Sequence, residues 1–119
     1  MARILLAEDD DSMRHFLQRA LERAGHEVLS VARGDLALPV IAEGRFDVLL
    51  ADIVMPEMDG IQLAQRAVAI DPRIRIMFIT GFAAVALRNK ATARADAKVL
   101  SKPFHLRELV DEIDKLMAA

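Results

Sequence analysis

The chain has 119 residues, 54% hydrophobic and 29% charged, which fits one folded domain with a sizeable core and excludes disorder. Its 16 basic and 18 acidic residues leave a formal net charge of -2, without the basic surplus of a dedicated nucleic-acid binder. With no Cys, Trp or Tyr, the composition also excludes a disulfide scaffold, a thiolate metal site, a Cys nucleophile and an aromatic platform for single strands.

A first apolar run, Arg3 to Ala7, predicts a buried strand. Ser12 to Ala24 predicts a helix with Phe16, Leu17, Ala20, Leu21 and Ala24 on one face, and Gly25 ends it. Glu27 to Val31 is a second, more mixed strand. Asp35 to Glu43 is a short helix ended by Gly44, and Pro39 inside it predicts a short or bent element. Asp47 to Ala51 is the third strand, and Gly60 to Ile70 the third helix, stopped by Asp71-Pro72. Ile74 to Thr80 is the fourth strand. A weaker fourth helix follows from Ala83 to about Ala93. Lys98 to Leu100 is the fifth strand, and Leu106 to Met117 a fifth helix with Leu106, Leu109, Val110, Ile113 and Leu116 at core spacing.

Strand and helix thus alternate through the chain, which predicts a single α/β domain over residues 1–119 with a doubly wound parallel sheet. The opening residues run straight into acids rather than forming a targeting signal, and no apolar run could span a bilayer. The expectation is a soluble cytoplasmic domain without a membrane partner.

In such folds function sits beyond the carboxyl ends of the strands. Glu8, Asp9, Asp10 and Asp11 follow the first strand, Asp52 the third, Thr80 and Gly81 the fourth, and Ser101, Lys102 and Pro103 the fifth. Carboxylates from neighbouring strands repel unless a cation lies between them, and a hard divalent ion such as Mg²⁺ suits oxygen ligands. Asp52 is central, where a carboxylate can act as a nucleophile on phosphorus. Lys102 offers a point charge and Thr80 a hydroxyl to a transferred phosphoryl group. Transfer of that group needs mainly alignment and charge neutralisation.

Leu6-Ala7-Glu8-Asp9-Asp10, Asp52 with Met55-Pro56-Glu57-Met58-Asp59-Gly60, Ile79-Thr80-Gly81 and Lys102-Pro103-Phe104 resemble the motifs of response regulator receiver domains. Each follows a predicted strand in the right order, and the resemblance runs from Ile4 to about Met117. It implies a flavodoxin-like (βα)5 fold with strand order 2-1-3-4-5. It implies Asp52 as phosphoacceptor, Thr80 as switch hydroxyl and Lys102 as phosphate-binding lysine. It implies Mg²⁺ held by Glu8, Asp9, Asp52 and the backbone carbonyl of Val54, with Glu8 acting through water. The phosphodonor would be a histidine kinase or histidine phosphotransferase, docking near the first helix, where Met13, Arg14 and Leu17 are candidates. A closer resemblance, in residues 7–14, 78–87 and 99–106, is to stand-alone alphaproteobacterial receivers. It implies an adaptor that primes ClpX of the ClpXP protease to take cell-cycle proteins, active when unphosphorylated and switched off by a phosphorelay, with recruitment to the cell pole alongside the protease. Such a protein is no enzyme beyond the chemistry at its own Asp52.

Many receivers carry Tyr or Phe three residues before the lysine, where this chain has Val99. Phe82 and Phe104 are candidates to take over that readout, or else ordinary packing residues. Val54, two residues after the acceptor, cannot orient an attacking water, which implies slow self-dephosphorylation. Phosphorylation would pull Thr80 and shift the face of the fourth helix, fifth strand and fifth helix. The stretch Ala83 to Leu87 is either a docking surface there or close helix–sheet packing.

Asp11 or Ser12 reads as the cap of the first helix, and Asp59 as a turn or cap residue before the third. His15, His26 and His105 show no ligand spacing and read as surface or boundary residues. The terminal Ala118-Ala119 is either a degradation signal or a frayed helix end. Two other functions use the same acids. A phosphate sink or relay shuttle needs no output partner. A small-molecule phosphohydrolase would need an acid–base Asp where Val54 stands.

Overall fold

The structure, a computed structural model, describes residues 1–81 and 98–118. The elements run β1 (Arg3–Ala7), α1 (Asp11–Arg23), β2 (Glu27–Val31), α2 (Gly34–Glu43), β3 (Val48–Asp52), α3 (Gly60–Ile70), β4 (Arg75–Thr80), β5 (Lys98–Ser101) and α4 (Leu106–Ala118). The helix expected over 83–93, together with Phe82, lies outside the described residues, as does Ala119.

All strand pairs are parallel, in the order β2-β1-β3-β4-β5. Alternate residues send side chains to opposite faces. Leu5, Ala7, Leu49, Ala51, Ile76 and Phe78 therefore face α2 and α3, meeting Ala37, Ile41, Leu63, Ala64 and Ala67. Ile4, Leu6, Val48, Leu50, Met77 and Ile79 face the other way, against Leu17 and Leu21 of α1 and Leu109 and Ile113 of α4. Burial of each such large side chain contributes about 1.5–3 kcal/mol, so both faces of the sheet are held against helices. β2 is an edge strand, and its mixed pattern follows: Leu29 is exposed.

The helix ends explain the local folding. Asp10, rather than Asp11 or Ser12, caps α1, its side chain accepting from the Met13 amide at 3.0 Å. Asp11 then sits in the first turn, where a negative charge suits the macrodipole. Gly25 follows the C-cap with φ of 96°, a left-handed turn that glycine takes without strain. Asp59 caps α3 by accepting from the Gln62 amide at 2.8 Å. α2 continues through Pro39, on its exposed side, and is short at 10 residues.

Several expectations are corrected. Phe16 and Ala24 are exposed, so the buried stripe of α1 is Leu17 and Leu21, with Met13 packed beside them. Leu17 is wholly core and unavailable to a docking partner. His26 is buried rather than at the surface: its Nδ1 accepts from the Ala2 amide at 2.9 Å, and its Nε2 lies 3.6 Å from Asp114 Oδ1 on α4. β3 begins at Val48 and ends with Asp52, and β5 extends to Ser101.

Candidate functional site

The chain passes from β1 outward to β2, then returns past β1 to form β3. The order reverses there, and a crevice opens at the carboxyl ends of β1 and β3. Ala7 and Ala51 are register partners, so Glu8 and Asp52, the next residues of each chain segment, stand side by side. Glu8 and Asp52 are buried, whereas Asp9 is exposed at the rim. One carboxylate oxygen from each of Glu8, Asp9 and Asp52 lies within 4.8 Å of the others.

Lys102 enters from beyond β5. Its amide donates to the Thr80 carbonyl at 2.7 Å, which ties the turn after β5 to the end of β4. The Lys102–Pro103 peptide is cis. Lys102 Nζ lies 3.0 Å from Asp52 Oδ2 and 3.4 Å from Glu8 Oε1. Asp52 Oδ1 accepts from the Val54 amide at 3.1 Å, and Glu8 Oε2 from the Asp10 amide at 3.2 Å. Thr80 is fully buried as the last residue of β4, beside Ser101 in register.

The charges do not balance. Among the described residues, three carboxylates face one ammonium. Burial pushes the Glu8 carboxyl up to about 7, and the Asp52 charge adds to that, against the Asp10 amide and Lys102. Burial opposes the Lys102 ammonium, but the hydrogen bond to Asp52 and the Glu8 charge outweigh it and hold its pKa above the ordinary lysine value. A buried acid that resists ionisation beside two others is an anionic nest short of positive charge. Its all-oxygen donor set fits a hard divalent cation.

The other expected residues spread away from this nest. The Val54 side chain is 54% exposed at its mouth. Val99 is half-buried against the α2–α3 side of the core. Phe104 is half-buried on the α1–α4 side and, with Met13, Phe16, Lys102 and Pro103, lines a hollow of about 330 Å³. A larger hollow of about 710 Å³, with Arg45 and Arg73 in its wall, lies at the amino ends of β3 and β4, the far end of those strands from the acids. Gly60 and Glu57, read from the sequence only as motif residues, and Arg14, read only as a docking candidate, also shape the nest. Gly60 packs on the Asp52 backbone, where a Cβ would come 2.3 Å from the Asp52 oxygen. Glu57 takes a left-handed φ of 71° in the turn between them.

Residues 4–114 match the family model of the response regulator receiver domain. The chain is 61% identical over 119 residues to the response regulator receiver protein CpdR of Brucella abortus, covering 100% of this chain and 99% of that one. It is 36% identical over 118 residues to sensor kinase CckA of the same organism, covering 98% of this chain and 12% of CckA. The receiver domain of a Pseudomonas aeruginosa sensor kinase, PA1611, solved with magnesium coordinated in its active-site cleft, superposes with a TM-score of 0.89 at 26% identity, over 99% of this chain and 98% of that one.

Proposed function

This chain belongs to the response regulator receiver domain family, and from that premise we propose that it accepts a phosphoryl group on Asp52 and that the modification controls a protein contact. The observation that carries the reading is the position of Asp52. It is buried at the end of a central strand, with one oxygen 3.1 Å from the Val54 amide and the other 3.0 Å from Lys102 Nζ. A carboxylate held at both oxygens is fixed in orientation and presents its remaining lone pairs to the crevice.

In the proposed reaction an Asp52 carboxylate oxygen attacks phosphorus. The bond to the donor's imidazole nitrogen, or to the oxygen of an acyl phosphate, breaks, and the leaving group departs with the electron pair. Glu8, Asp9 and Asp52, with the Val54 carbonyl, would hold Mg²⁺, and its positive charge would offset the negative charge gathered at the site. Lys102, already an ion-pair partner of Asp52, shifts its ammonium to a phosphoryl oxygen. Thr80 stands on the strand beside β3 to donate its hydroxyl to another. Val54 covers the mouth without offering a group to orient water, which makes the adduct long-lived.

For the output we infer what the resemblance to stand-alone receivers implies, an adaptor of the ClpXP protease that binds ClpX when unphosphorylated, in the cytoplasm; 61% identity to CpdR over the whole chain supports that reading. The donor is a histidine kinase or a histidine phosphotransferase. Similarity to CckA is to a segment of that kinase, and a solved receiver domain of CckA superposes with a TM-score of 0.82 at 31% identity. The test is the intact mass after incubation with acetyl phosphate, with and without Mg²⁺, followed by capture on immobilised ClpX. An adduct that needs both Mg²⁺ and Asp52, and that weakens ClpX capture, is the expected result. An adduct that persists in Asp52→Ala overturns the assignment.

A further inference from the structure

We propose that Arg14 is a positioning residue that clamps the turn between β1 and α1 and thereby sets how tightly the Glu8–Asp9 pair holds a divalent cation. The inference rests on the reading of the acidic nest as a Mg²⁺ site and deepens it. Arginine in the first turns of a helix ordinarily extends into solvent, but the Arg14 side chain is only 13% exposed. It folds back toward the sheet. Nη1 donates to the Glu8 carbonyl at 3.0 Å, and Nη2 donates to Asp11 Oδ1 at 2.7 Å. Its own amide donates to the Asp10 carbonyl at 2.8 Å.

Glu8 is therefore gripped on every side. Its amide donates to the Val31 carbonyl at 3.1 Å, its carbonyl accepts from Arg14, and its carboxylate accepts from the Asp10 amide. The next peptide carries Asp9, so the Glu8 carbonyl fixes the plane from which the Asp9 side chain leaves. The guanidinium spends its two hydrogen bonds on that carbonyl and on Asp11, not on the converging carboxylates. It orders the acids without competing for their oxygens, whereas Lys102 does compete. A planar fork is needed to reach both acceptors at once, and a lysine at this position reaches one.

The experiment is calorimetric titration with Mg²⁺ alone, well below each variant's unfolding midpoint, on the native chain, Arg14→Ala and Arg14→Lys. Acetyl phosphate labelling is followed in parallel over a range of Mg²⁺. Arg14→Ala is expected to bind Mg²⁺ about tenfold more weakly, as happens when a partner behind the ligands is lost. Its labelling slows at limiting Mg²⁺ and recovers at saturation, because Asp52 itself is untouched. Arg14→Lys falls between the two, and it decides alone if Arg14→Ala does not fold. Unchanged Mg²⁺ affinity in both folded variants, whatever their midpoints, overturns the proposal. A native chain that does not bind Mg²⁺ overturns the reading of the nest, and this inference with it.

Discussion

Gly60 lies against the backbone of Asp52 so closely that a Cβ at Gly60 would meet the Asp52 carbonyl carbon at 2.9 Å and its oxygen at 2.3 Å. The Gly60 amide also donates to the Ile53 carbonyl at 2.8 Å. The start of α3 is thus a backstop for the acceptor strand. Gly60→Ala must push backbone against backbone, at a cost of about 1–3 kcal/mol. Urea unfolding should show that loss, and labelling of Asp52 by acetyl phosphate should slow with it. A variant as stable and as reactive as the native chain would contradict the contact.

Glu57 occupies a left-handed conformation that costs a residue with a Cβ about 1 kcal/mol. Its side chain is exposed. Glu57→Gly should therefore stabilise the chain by up to about 1 kcal/mol, offset in part by the greater freedom of glycine in the unfolded chain. The urea midpoint measures it, and a lower midpoint would show the turn to be unstrained.

Glu8 provides the pH dependence. Its carboxyl rises from 4.5 to about 7 on folding, chiefly through burial. The native state therefore holds the proton more tightly than the unfolded chain. Below pH 4.5 the group costs nothing; as pH rises toward 7 the penalty of ionising it grows, and above 7 it is constant. Without metal, Glu8→Gln should be more stable than the native chain by up to about 3 kcal/mol at neutral pH. That advantage should shrink as pH falls through the same window, and Mg²⁺ should shrink it too by stabilising only the native chain. Equal urea midpoints at pH 8 would sink the prediction.

Phe16 is 54% exposed and lines the hollow with Met13, Pro103 and Phe104, one wall of which is Lys102. A large apolar side chain there suits a phosphodonor approaching Asp52 along α1. Phe16→Glu should leave stability within about 0.5 kcal/mol, since the site is solvated. It should leave labelling by acetyl phosphate unchanged and slow transfer from a histidine phosphotransferase. Transfer from the phosphotransferase as fast as to the native chain would remove Phe16 from the docking face.

Much of this was legible because parallel strands buried on both faces leave a strong apolar signal, and because the strand ends collect the polar residues that such a sheet cannot bury. β3, buried throughout, was evident but for one residue at each end, since Asp52 is a strand residue by its backbone and a site residue by its side chain. Acids and lysine were found because each directly follows an apolar run. Phe16 was misplaced because helical spacing fixes a stripe only to within about one residue's rotation, and Leu17 and Met13 took the inner positions. His26 was misread because a single histidine carries no periodic signal. Its burial depends on Ala2 and Asp114, far away in the chain. The sequence marks Arg14 only as a docking candidate; its grip on Glu8 leaves no trace there, because a backbone carbonyl is present at every residue and so invisible in any sequence.

The pairing of Ala2 with His26 has a practical side. Met1 is 88% exposed, while Ala2 is fully buried with its amide on the imidazole and its carbonyl receiving the Glu27 amide at 2.9 Å. A purification tag or fluorescent fusion joined ahead of Met1 leaves that anchorage intact. Trimming the first two residues would strip a buried ring of its donor and unpin the start of the edge strand. Reporter fusions for following this protein in cells should therefore be joined upstream of the unaltered first residues.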